Sequence, residues 1–169
     1  MNASELKQLQ APLKHKYRVE PKTALITLKA KGTIGTGVSC KLETGQKMVE
    51  AGLHPATGGT GELACSGDLL LEALVACAGV TLTAVATALG IDISYGSVSA
   101  EGDLDFRGTL GVSKDVPVGF TSIRLHFQFD STATEEVLAS LAKLTERYCV
   151  VYQTLSKGVA LSTSYSCGH

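Results

Sequence analysis

From Leu69 to Leu89 the chain reads LLLEALVACAGVTLTAVATAL, and Glu72 is the only charge in the run. A helix this apolar must be hidden on nearly every side, so the fold has to be built around it. Ser66 stands where an N-cap belongs, Asp68 falls in the first turn where the macrodipole favours an anion, and Gly90 supplies a stop. A membrane span is the competing reading, since about 20 apolar residues suffice. Against it stand Thr81, Thr83 and Thr87, the lack of flanking Lys or Arg and of interfacial aromatics, and the absence of a second such segment. The expectation is a buried central helix, with no membrane as partner.

What surrounds the helix alternates. Residues 1–22 are polar, carry Pro12 and Pro21, and read as an arm or short helix before a single domain over 23–169. Thr23–Ala30 is a first strand, glycines 32, 35 and 37 mark a turn, Val38–Leu42 reads as its return, and Gly45–Val49 as a further short strand. His54–Gly67 is a loop by composition. Ser97–Phe106 and Thr121–Phe129 are strands; in the second, Ile123, Leu125, Phe127 and Phe129 share one face and Arg124, His126 and Gln128 the other. Thr132 and Glu135 have capping-box spacing and open a second helix, on which Leu138, Leu141, Ala142, Thr145 and Cys149 form one stripe. Val159–Tyr165 closes the chain as a last alternating strand. The fold class is α+β.

Fifteen Lys and Arg against sixteen Asp and Glu leave a net charge of −1 and no basic run, which argues against nucleic acid. A hydrophobic share of 44% with 18% charged residues excludes a disordered chain. Five cysteines and no apolar signal core at the N-terminus point to free thiols in a reducing compartment, the cytoplasm. Cys77 sits mid-helix in the apolar run, and Cys149 ends the second helix on its inward stripe. Only the fold can bring them together, and a thiol buried among apolar groups is ordinarily inert. Two packing cysteines therefore remain an open reading of the residues. Cys65, beside a helix start, is a third redox candidate or an incidental loop residue; Cys40 reads as packing and Cys167 as an exposed, silent thiol. The four histidines share no metal-ligand spacing with the cysteines, so no metal is expected. The glycine clusters lack the context of a phosphate loop. Glu62 and Glu72 read as a loop acid and a helix-surface acid.

The run SGDLLLEALVACAGVTLTAVATALGIDI resembles the first signature of the OsmC/Ohr family, and TERYCVVYQTL, residues 145–155, resembles the second. EGDLDFRG and VPVGFTSIRLHFQF are similar to the intervening strands, so the likeness covers roughly residues 23–165. It implies antiparallel sheets wrapped around long central helices in an intertwined homodimer, with active sites at the subunit interface. It also implies reduction of organic hydroperoxides: Cys77 as peroxidatic thiolate passing to a sulfenic acid, Cys149 as resolving thiol, and a dithiol reductant of the lipoyl type. No organic cofactor or metal is implied.

The chain departs from the family pattern in three places. Gly67 occupies the tenth position before Cys77, where the family carries glutamate, and Asp68 is the nearest acid. No arginine lies between Arg18 and Arg107, so Lys31, and next Lys29, are the candidates to activate Cys77; lysine lacks the planar fork. Val150 follows the second cysteine where proline is usual. The alternative function is a dimer of the same fold that binds a small hydrophobic or acyl metabolite, its thiols not catalytic.

Overall fold

The computed structural model describes residues 3–34, 40–42 and 51–167, and their side chains except at 3–7, 28–32, 34 and 40–42. Helix α1 (Ala3–Val19) is followed by a 3-10 turn at Pro21–Ala24, β1 (Leu25–Ile34) and β2 (Cys40–Leu42). Two short strands, β3 (Ala51–Gly52) and β4 (Ala64–Cys65), flank a 3-10 turn at Pro55–Thr57. Then come α2 (Ser66–Leu89), β5 (Tyr95–Asp105), the single turn α3 (Phe106–Thr109), β6 (Phe120–Asp130), α4 (Glu135–Tyr148) and α5 (Val150–Lys157). The antiparallel sheet has the order β2-β1-β5-β6, and β3 pairs with β4 in parallel.

Alternation gives the sheet two unlike faces. Val98, Ala100 and Leu104 of β5 are buried, and their β6 partners Phe127, Leu125 and Phe120 pack into the same core. On the other face Asp103 accepts from Thr27 Oγ1 and Ser122 Oγ, both at 2.7 Å, and pairs with Arg124. The Arg124 hydrogen bonds hold the Asp103 carboxyl well below the ordinary carboxylate range. α2 lies across the apolar face, contributing Leu71, Leu74, Val75, Ala78 and Leu82 to the core. By length and composition this helix could cross a membrane; here it packs against the sheet, α4 and α5. Its threonines fit an apolar helix because each donates back to its own backbone: Thr81 to the Cys77 carbonyl at 2.7 Å and Thr87 to that of Thr83 at 2.8 Å. At the other end of the core Tyr17 of α1 is buried, its hydroxyl donating to the Ala56 carbonyl at 2.7 Å.

Several boundaries differ from expectation. β1 starts two residues late, because Thr23 belongs to the 3-10 turn after Pro21, and continues to Ile34. Ser66 is the first residue of α2 and Cys65 its N-cap, while Gly90 does end it in the left-handed region at φ 67°. Thr134, not Thr132, is the N-cap of α4, so the Thr132–Glu135 box does not form. Phe106 leaves β5 to open α3, drawn off by the Asp105 side chain, which accepts from Arg107 N at 3.0 Å. The largest correction is at the C-terminus. Val159–Tyr165 forms no strand: no strand of the described sheets pairs with it, and Leu161 is 90% and Tyr165 96% exposed. Burial of α2 is also incomplete, since Leu70, Ala73, Val80 and Ala84 are exposed along one side. The strand expected at Gly45–Val49 lies outside the described residues.

Candidate active site

Two helix facts bring Cys77 and Cys149 together. Cys77 sits in the middle of α2, three residues after the fully buried Leu74 and half exposed itself. Cys149 is completely buried and occupies a corner, as C-cap of α4 and N-cap of α5. The α4 stripe carries it inward: Leu141 and Thr145 are buried on the same face, and Thr145 satisfies its hydroxyl on the Leu141 carbonyl at 2.8 Å. The helix breaks at this corner, and α5 starts with Val150 and Val151 beside Cys77.

The consequence for the two thiols is unequal. Burial pushes the Cys77 thiol up, but neighbouring donors outweigh it and leave its pKa below the ordinary value. The donors are the N–H of Val151, the Cys149 thiol and the N–H of Val150; the Thr81 hydroxyl also lies close, its own proton donated to the Cys77 carbonyl. Val150 and Val151 are the first two residues of α5, so the Cys77 sulfur lies where free N–H groups and the positive end of the helix favour a thiolate. Cys149 is pushed up to about 11, chiefly by burial, against the N–H of Tyr152, which reaches its sulfur at 3.5 Å. One sulfur is poised to ionise and its neighbour to stay protonated and donate to it.

The other expected site residues lie apart. Asp68 is nine residues before Cys77 on the same helix, about 13 Å along the axis. Burial raises its pKa, opposed by the charge of His54. His54 accepts from Ala56 N on Nδ1 at 3.0 Å and stacks on Phe106, with ring centroids 4.9 Å apart. The β1–β5 register pairs Lys29 with Glu101 and Lys31 with Ser99; the lysine side chains lie outside the described residues. Cys65 is half buried at the start of α2, Glu62 is exposed beside Thr60, and Cys167 is exposed; the side chain of Cys40 is not described. Among the described residues no group of three His, Cys, Asp or Glu is placed to hold a metal ion. The backbone donors of Val150, Val151 and Tyr152 were missed by sequence reasoning. A visible signal was the chain's own departure, because valine at 150 carries an N–H that proline would lack.

A cavity of about 300 Å³ is lined by Leu74, one turn before Cys77, and by Ile123, Leu125, Tyr152 and Leu155 among others. The profile of the OsmC-like protein family matches residues 59–164, which span both cysteines. The chain belongs to the OsmC-like family. An OsmC-like hydroperoxide resistance protein from Jannaschia sp. ccs1 superposes with a TM-score of 0.63 at 14% identity, over 86% of this chain and 95% of that one. The OsmC-like protein of Mycoplasma pneumoniae gives 0.56 at 20% identity, over 80% and 86%. These solved structures share the OsmC-like fold. A search of curated proteins finds no match.

Proposed function

We propose that this OsmC-like protein reduces organic hydroperoxides with Cys77 as nucleophile and Cys149 as resolving thiol. The observation that carries the reading is the hydrogen-bonded thiol pair at the start of α5, with its two pKa values pushed in opposite directions. The Cys77 thiolate attacks the terminal oxygen of the hydroperoxide and the O–O bond breaks. The electron pair leaves on the alkoxide, which takes the Cys149 proton and departs as an alcohol. Cys77 is now a sulfenic acid and Cys149 a thiolate beside it. Attack of Cys149 on the Cys77 sulfur forms the disulfide and expels hydroxide, which is protonated to water. A dithiol of the lipoyl type restores both thiols by exchange and becomes a cyclic disulfide. No metal or organic cofactor enters, and the chemistry suits a reducing compartment such as the cytoplasm.

We also propose that the working unit is a homodimer. The exposed side of α2 runs through Ala73, Val80 and Ala84, with Cys77 between them, so a second copy seated there would close over the thiol. A family neighbour described as a hydroperoxide resistance protein supports the same reaction class. The apolar cavity equally suits a bound hydrophobic or acyl metabolite with idle thiols. One equivalent of an organic hydroperoxide separates the two readings. Peptide mapping should find a Cys77–Cys149 disulfide, and Cys77→Ser should abolish peroxide consumption. A Cys77 sulfinate, or a Cys65–Cys77 bridge, would remove Cys149 from its role. Unchanged thiols after peroxide would leave the binding reading.

A further inference from the structure

We infer that Phe120 sets the length of apolar chain that the thiol pair accepts, an inference that rests on the peroxidase reading above. Its ring lies where two cavities meet. The first, about 300 Å³, is lined by Leu74, one turn before Cys77, and by Tyr152, whose N–H meets the Cys149 sulfur. The second, about 430 Å³, is lined by His54, Cys65, Leu70, Leu104 and Phe106. Phe120 lines both.

Three features of the chain hold the ring there. The β5–β6 register steps between Asp103, paired with Ser122, and Leu104, paired with Phe120, so Thr121 is an extra residue in β6. Without that bulge, strict alternation would turn position 120 to the polar face; with it Phe120 joins Ile123 and Leu125 on the inner one. Gly102 then leaves the space the ring occupies, since a Cβ there would stand 2.4 Å and 2.6 Å from two of its carbons. Thr121 fixes the bulge by donating to the Asp103 carbonyl at 3.1 Å. The bulge therefore re-aims one side chain into the wall between two cavities.

The first cavity is at the small end of the range for ligand sites, roughly 300–1,000 Å³, so a tail entering beside Tyr152 fills it and stops at the ring. Removing the ring joins the second cavity to the first. Each further methylene buried is worth roughly fourfold in kcat/KM.

The probes are the straight-chain alcohols from butanol to dodecanol, the product class, as protectors of Cys77 against iodoacetamide. The matching n-alkyl hydroperoxides are assayed with a dithiol. In the wild type, protection climbs with chain length and then levels. Phe120→Ala moves the levelling point up by several carbons and raises the ratio of dodecyl to butyl kcat/KM by on the order of tenfold or more. Phe120→Leu guards against a folding defect, since it keeps an apolar side chain at the position while removing the ring. An unchanged levelling point in folded variants, or no protection by any alcohol, overturns the role of Phe120. If the limit moves while no variant consumes hydroperoxide, the peroxidase reading fails and the chain-length role stands.

Discussion

Val150 exposes 71% of its surface, yet its N–H is one of the donors to the Cys77 sulfur. Replacing it by proline removes that donor and little else. The position is the first of α5, where proline is tolerated, and Cys149 before it already has the extended φ −71° and ψ 110° that a following proline demands. A hydrogen bond to a charged group is worth about 1.5–3 kcal/mol, so Val150→Pro should raise the Cys77 pKa by about one unit or more. Iodoacetamide labelling against pH measures it. Wild-type Cys77 should titrate below the usual thiol value of about 8.5, and Cys149 should stay unlabelled through that range. Below both midpoints the variant should react about tenfold more slowly; above them the two rates should converge, because both are then thiolate. Lys31→Ala and Lys29→Ala are the comparison. If they slow labelling and Val150→Pro does not, the hairpin lysines supply the potential. At this scale the two sulfurs were legible in the sequence and their donors were not, because a backbone N–H has no letter of its own.

Elements with a strong period were legible to within a residue or two: α2 from its apolar run, β5 and β6 from alternation. Those whose state depends on a neighbour were not. Val150–Lys157 begins with two valines and a tyrosine, which favour strands, and α5 buries no residue fully. It is helical because Cys149 caps Tyr152 and because Val151, Tyr152 and Leu155 pack on the core. Val159–Tyr165 has the opposite character, a strand pattern without a partner strand. The stop of α2 tests a local signal directly. Gly90 has φ 67° with nothing within 4 Å of the site a Cβ would fill, so Gly90→Ala introduces strain without a clash. Denaturant unfolding should show a loss of about 1 kcal/mol, the cost of placing an L-residue in the left-handed region.

Among the described residues, apolar surface lies open on the central helix and on the segment after α5. Leu70 and Val80 are each 37% exposed on the central helix, and the segment after α5 exposes Val159, Leu161 and Tyr165. Water-facing groups of this kind on a chain with 18% charged residues are what a second subunit would cover. Light scattering at micromolar concentration should report twice 17.6 kDa, and the melting temperature should rise with protein concentration. Val80→Lys places a charge in that face and should shift the population to the single chain. A wild type that scatters only as the single chain at that concentration counts against the dimer. The sequence showed that α2 needed cover and could not show how much, because one four-stranded sheet with two helices surrounds only part of a 24-residue helix.

The seat of Cys77 at the start of α5 also bears on electrochemistry. Its N–H donors stabilise a negative sulfur, and a disulfide sulfur carries no charge for them to meet. They therefore favour the reduced pair over the bridged one, which makes the bridge a stronger oxidant by about 30 mV for each tenfold of preference. In the proposed cycle, the groups that ready the thiol for peroxide would thus also make the bridged pair easier for a dithiol to restore. A single helix end would then lower the barrier to the first half of that proposed cycle and improve the driving force of the second.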